Sequence, residues 1–292
     1  MSMTELLLAP FVGCLILTGI HCYLGLTVVS RGIIFVDLAL AQLAALGGAV
    51  ALLAGIEHGA TAYGFSLLFT ILGAAAFALT RLRSRNIPQE AMIGIIYAVA
   101  SAGAILILDR APHGREAIES MLVGSILFVD WPTIGRTALL YTAIGAVHVV
   151  WRRRFAIAKL TSHEAAARGV SAREVLAWDF LFYATFGVVV TSSVQMAGVL
   201  LVFSFLVIPA VCAILFVRTA RGRLIFGWIF SSAVSAIGLY ASASFDLPSG
   251  AAVVATFGVA WLLAMGVAGL VGVQGATAAA PEQADPQPDP TS

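Results

Sequence analysis

Arg31-Gly32-Ile33-Ile34-Phe35-Val36-Asp37-Leu38-Ala39-Leu40-Ala41-Gln42-Leu43-Ala44-Ala45-Leu46-Gly47-Gly48 decides how the rest of the chain is read. It places a carboxylate and a carboxamide inside an apolar run long enough to enter a bilayer. A charged side chain at the bilayer centre costs about 2.5–3.5 kcal/mol on insertion scales, so Asp37 and Gln42 are expected to face protein, a water-filled path or a ligand. The reading that follows is a helix lining a transport route.

Composition carries the membrane assignment to the whole chain. Of 292 residues, 60% are hydrophobic and 11% charged, against about 25% charged in an ordinary soluble domain. Mean hydropathy is +0.99. A hydrocarbon core about 30 Å thick needs roughly 20 apolar residues per helix. Nine windows satisfy this: 5–29, 33–55, 61–80, 91–108, 132–150, 175–194, 197–217, 224–244 and 250–271. The fourth is short and 120–129 could be a re-entrant piece, so eight or ten spans also fit. The expected class is an all-α polytopic membrane protein, with a transmembrane domain over 1–274 and a disordered tail rich in proline and acid over 275–292.

Thirteen of the sixteen basic residues fall in alternate loops, leaving only Arg110, Arg115 and Arg136 opposite. Basic residues in short loops stay cytoplasmic, which puts the N-terminus outside and the C-terminus inside. The first residues lack a basic segment and a cleavage site, so a retained first helix is expected. The opposite loops carry Glu57, Asp109, Glu116, Glu119, Asp130 and Asp246, which either attract cations or simply solvate that face. Cys14, Cys22 and Cys212 lie in apolar runs without paired spacing, and no disulfide is expected. A net charge of +1, with no basic cluster interleaved with aromatics, argues against nucleic acid as a partner.

The longest polar interruption, 151–174, contains Ser162-His163-Glu164-Ala165-Ala166-Ala167-Arg168-Gly169. Thr161 or Ser162 can cap a short helix, the alanines favour it, and Gly169 can end it in the left-handed conformation. Such a helix could dock a partner or merely join two spans. The chain holds no phosphate-binding glycine loop and no supported nucleophile triad, so it is not expected to be an enzyme. Energy for transport would come from an ATPase partner or from an ion gradient.

His21 and Gln42 each lie roughly 10–14 Å from the inner ends of neighbouring helices and could meet near mid-membrane. Imidazole, amide and carboxylate together suit a divalent transition metal. Asp37 and Gln42 are about 140° apart around a straight helix, so Asp37 is expected to serve the inner mouth. His148 and Asp179, close to inner helix ends, read as interfacial or snorkelling side chains. Gly47, Gly48, Gly198, Pro209 and Gly250 allow close helix contact or a break.

Several stretches in order resemble the permease subunits of ABC importers for zinc, manganese and iron. Val28 to Phe35 is similar to that family's V-L-R-G-x-x-F, and Asp37 to Gly47 occupies the place of its G-D-A-L-S-H-A-x-L-P-G. Gln89 to Tyr97 resembles its A-I-G-I-V-F segment and Leu122 to Leu127 its L-x-G-S-I-L. Gln195 to Ala210, with Gln195, Gly198 and Pro209, is similar to Q-x-x-G-x-L-L-V-x-A-L-L-x-I-P-A, and Asp246, Pro248 and Gly250 match D-L-P-x-G. The resemblance implies a homodimer in a prokaryotic plasma membrane, a cytoplasmic ABC ATPase and an extracytoplasmic metal-binding protein. It also implies a divalent metal as substrate and no permanently bound cofactor. It makes Ser162, His163, Glu164, Ala165 and Gly169 the coupling helix, although the family's Asp-Pro is absent. The family's second-helix Asp and His, four apart, are missing: Leu38 and Gln42 stand in their places and Asp37 replaces the preceding glycine. An imidazole from His21, at matched depth on the neighbouring helix, is the expected replacement. Rival readings are a metal-chelate importer, a proton-coupled carrier using Asp37 and Asp179, and a docking scaffold that transports nothing.

Overall fold

The computed structural model describes residues 3–56, 59–83, 87–111, 114, 124, 126–157, 160 and 162–270. The calls on 275–292, on Thr161 and on most of 120–125 lie outside them. Nine helices among the described residues are long and apolar enough to span a membrane. They are α1 (Met3–Arg31), α2 (Val36–Leu53), α3 (Ala60–Arg83), α4 (Gln89–Leu108), α5 (Trp131–Val150), α6 (Ala172–Ala197), α7 (Val199–Phe216), α8 (Ala220–Phe245) and α9 (Ser249–Leu270). Each of the nine expected windows overlaps one of them, with ends displaced by a few residues.

Local chemistry explains the displaced ends. α5 starts where the Asp130 side chain accepts from the Thr133 amide at 3.2 Å, with Pro132 in the first turn, where a missing N–H costs nothing. α6 begins three residues before its apolar window because the Ser171 hydroxyl accepts from the Glu174 amide at 3.2 Å. α8 closes on Asp246, which adopts the left-handed conformation at φ 53°. There the Leu247 amide donates to the Ser242 carbonyl at 3.0 Å, and the Ser242 hydroxyl donates to the Leu247 carbonyl at 2.7 Å.

Two helix groups make up the bundle. α2 packs on α3, α4 and α6, and α3 on α6; α1 packs on α7 and α8, and α7 on α8 and α9. The groups meet where α7 touches α2 and α6, and α5 lies against α1 and α6. Leu17, Leu24, Leu40, Phe77, Tyr183, Phe186, Phe205 and Phe257 are fully buried between them. Lipid tails are as apolar as leucine, so such helices associate through close packing and polar contacts rather than escape from water. Gly47 shows the first: a Cβ there would overlap the Phe65 and Ser66 backbone of α3. α6 and α7 meet with no loop, through Gly198 alone, at φ 78° and ψ 160°, a region essentially reserved for glycine.

The 151–174 interruption folds as expected in outline. A four-residue helix, Arg152–Phe155, is followed by a six-residue helix, Ser162–Ala167, and Gly169 takes φ 68°. Leu160, Ala165 and Val175 bury one another there, with Ile157 and Val170 packed around them. The side chains of Ser162 and His163 lie outside the description.

Candidate functional site

α2 is positioned by a tight turn. The Gly32 amide donates to the Val29 carbonyl at 3.2 Å and the Ile33 amide to the Val28 carbonyl at 3.3 Å, so α2 starts beside the end of α1. The Phe35 amide, left without a partner inside the helix, donates to Glu90 Oε1 of α4 at 3.1 Å. Asp37 is 2% exposed, and its Oδ1 accepts from the Leu38 amide at 2.8 Å. Gln42, about 7.5 Å further along the axis, is buried too. Both polar groups of the opening stretch therefore face protein. Glu90 Oε2, close to the same end, is buried with no hydrogen-bond partner among the described residues.

His21 goes elsewhere. It is fully buried, its Nδ1 donates to the Leu17 carbonyl at 2.7 Å, and its Nε2 lies 3.1 Å from Ser193 Oγ of α6. Tyr141 of α5 stands edge-on at 6.1 Å between ring centres and bonds Ser192 Oγ at 3.2 Å. Both ring nitrogens are engaged, and α6, not α2, is the neighbour that holds the ring. The structure does not bring His21 and Gln42 together, because α1 turns its buried face to α5, α6, α7 and α8. Among the described residues, no three His, Cys, Asp or Glu side chains are placed to hold a metal ion.

The two residues read as interfacial are both buried. His148 bonds Tyr23 Oη through Nδ1 at 3.2 Å and Thr185 Oγ1 through Nε2 at 2.9 Å, and its ring stacks on Phe155 at 4.1 Å. Thr185 already donates its proton to the Leu181 carbonyl, so His148 Nε2 is the donor and Tyr23 donates to Nδ1. Asp179, 1% exposed, is the hub of an ion cluster: its Oδ1 accepts from Arg31 at the end of α1 and from Arg81 near the end of α3, the latter at 2.9 Å. The Arg31 guanidinium lies 4.5 Å over the Phe182 ring. Gln89 at the start of α4 donates to Tyr183 Oη at 2.6 Å. Asp179 lies about 10 Å inside α6, too deep to reach water by snorkelling, and a carboxylate there needs counter-ions. The signal in the sequence was that depth, together with arginines at the same end of two other spans.

At the opposite end, α3, α5 and α6 enclose a cavity of about 590 Å³. Tyr63, Thr133, Thr137, Ser192, Gln195 and Arg136 supply its polar wall. Gln195 is thus a wall residue in the last turn of α6. Ser192 on that wall is bonded to Tyr141, whose ring stands edge-on to His21.

Residues 3–268 match the ABC 3 transport family along nearly the whole bundle. The chain belongs to that family. Among curated relatives, a membrane protein of Thermotoga maritima named for a probable metal transport system is 25% identical over 244 residues, 84% of this chain and 83% of that one. The manganese transport system membrane protein MntC of Listeria innocua is 24% identical over 233 residues, 79% of each. The solved structure of PsaBC from Streptococcus pneumoniae in complex with Fab superposes with a TM-score of 0.72 at 20% identity, covering 89% of this chain and 91% of that one. The ABC 3 permease fold is therefore the fold of this chain.

Proposed function

We propose that this chain is the membrane subunit of an ATP-driven importer that carries a divalent transition metal, manganese or zinc before iron, into the cytoplasm. The observation that carries the reading is the match of the entire bundle to a family whose relatives are named for metal and manganese transport. It functions as a homodimer, with the arginine-rich end cytoplasmic, an ABC ATPase docked on 162–169 and an extracytoplasmic binding protein delivering the ion to the opposite cavity. Hydrolysis belongs to the partner. Asp37 and Gln42 serve the ion's passage along α2: Gln42 offers an amide oxygen at depth and Asp37, with Glu90 nearby, offers carboxylate at the inner mouth. His21 positions α1 against α6, since its nitrogens are already bonded.

A second reading rests on the outer cavity. Its described wall offers hydroxyls, an amide and a guanidinium but no carboxylate, thiolate or imidazole. Together with the missing Asp/His pair, that favours an oxygen-rich metal chelate over a bare ion.

Proteoliposomes holding this chain, its ATPase and its binding protein separate the two. ATP-dependent uptake of free manganese, zinc or iron, offered singly, supports the ion importer. Uptake of ferric or manganous citrate alone supports the chelate importer. Uptake that ignores ATP overturns both in favour of a secondary carrier.

A further inference from the structure

The segment read as a docking site for the ATPase is wired into the spans by specific bonds. Val175, on the first turns of α6, packs into the small core formed by Leu160 and Ala165. Asp179 follows four residues later, which puts it on the same face of α6 one turn deeper. Arg81 closes the circuit: its Nη1 donates to Asp179 Oδ1 at 2.9 Å and its Nη2 to the Leu160 carbonyl at 3.1 Å. Arg31 binds the same carboxylate oxygen from α1. One carboxylate therefore joins the inner ends of α1, α3 and α6, and one guanidinium ties that junction to the segment beneath it.

We propose that Arg81 and Asp179 are the positioning residues that carry displacement of the 160–169 segment into the membrane spans. A push on Ser162–Ala167 moves the Leu160 carbonyl, and the planar fork of Arg81 cannot hold that oxygen and Asp179 at once after the shift. Asp179 keeps Arg31, because a carboxylate at that depth must keep a counter-ion. α1 and α6 stay linked while α3 separates from them. The junction is a two-state element at the base of the bundle. This rests on the reading of the chain as an ATP-driven permease.

The test uses the full complex in liposomes, with ATP hydrolysed per metal ion imported as the readout. Arg81→Gln is expected to assemble and hydrolyse ATP within about two-fold of the wild type, while ATP spent per ion rises about five-fold or more. Arg81→Lys keeps a charge for Asp179 without the fork and should fall between. A wild-type ratio in an assembled Arg81→Gln complex overturns the proposal; if that variant does not assemble, a wild-type ratio in Arg81→Lys overturns it equally. Hydrogen exchange on the full chain in detergent decides independently of any ATPase. Arg81→Gln should raise exchange in 156–170 and in the last turns of α1 and α3 together, and a rise confined to 156–170 overturns the linkage. Wild-type uptake without ATP would sink the permease reading and leave the exchange result to decide the linkage alone.

Discussion

Two polar side chains, one buried and one exposed, show how a single residue is held in this bundle, and each gives an expectation. His148 is bonded through both nitrogens and stacked on Phe155, so His148→Ala takes the imidazole partner from Tyr23 and from Thr185, which keeps its bond to the Leu181 carbonyl, and opens a void beside them. A loss of about 2–4 kcal/mol is expected in denaturant unfolding of the purified chain in detergent, and a loss below 1 would show that the network contributes little. Asp130 is exposed and tests a cap instead. Donation from Thr133 holds its carboxyl below the ordinary value of 3.8, so the cap stabilises above that value and is lost as pH falls through the lower, folded one. Asp130→Asn should flatten that acid limb of the stability curve without moving the neutral plateau. Asp37 and Gln42 were legible as protein-facing because a membrane offers them nothing else. Asp179 was not: its position along α6 can be counted, but two arginines from other spans become visible only when α1, α3 and α6 are placed side by side. His21 shows the same limit: equal depth on neighbouring segments of chain does not tell which helix holds the ring, and here it is α6, through Ser193.

Elements were the most readable level. Apolar length alone located the nine helices, and Gly169 and the 162–167 helix fell where their residue types place them. What length could not show was the junction of α6 and α7, because a continuous apolar run with one glycine reads equally as one bent helix, two helices or a packing site. Gly198→Ala forces a side chain into a backbone region that L-residues avoid, and a cost of about 1–3 kcal/mol is expected from thermal unfolding in detergent. Gly47→Ala pushes α2 off the α3 backbone, with a similar expected loss of about 1–3 kcal/mol. Retention of wild-type stability by either variant would mean that the helices re-seat cheaply.

For the molecule as a whole, the one-sided distribution of arginine predicts how it sits in the bilayer. Leu247→Cys, exposed at the acidic end, should react with a membrane-impermeant maleimide in intact cells, and Arg168→Cys only after permeabilisation. The native cysteines are all free and buried, so background labelling should be low. Reversed labelling would invert the proposed direction of transport.

The absence of any loop between α6 and α7 also bears on how the protein is made. A translocon releasing helices one at a time would have to hold α6, Asp179 included, in contact with lipid until it packed on α1 and α3, which precede it in the chain. With one glycine as connector, α6 cannot settle before α7 follows, so the two should enter the bilayer together as a hairpin. α7, the most apolar of the nine spans, then helps to draw in its more polar companion, and a polar spacer inserted at Gly198 should lower yield before it alters transport.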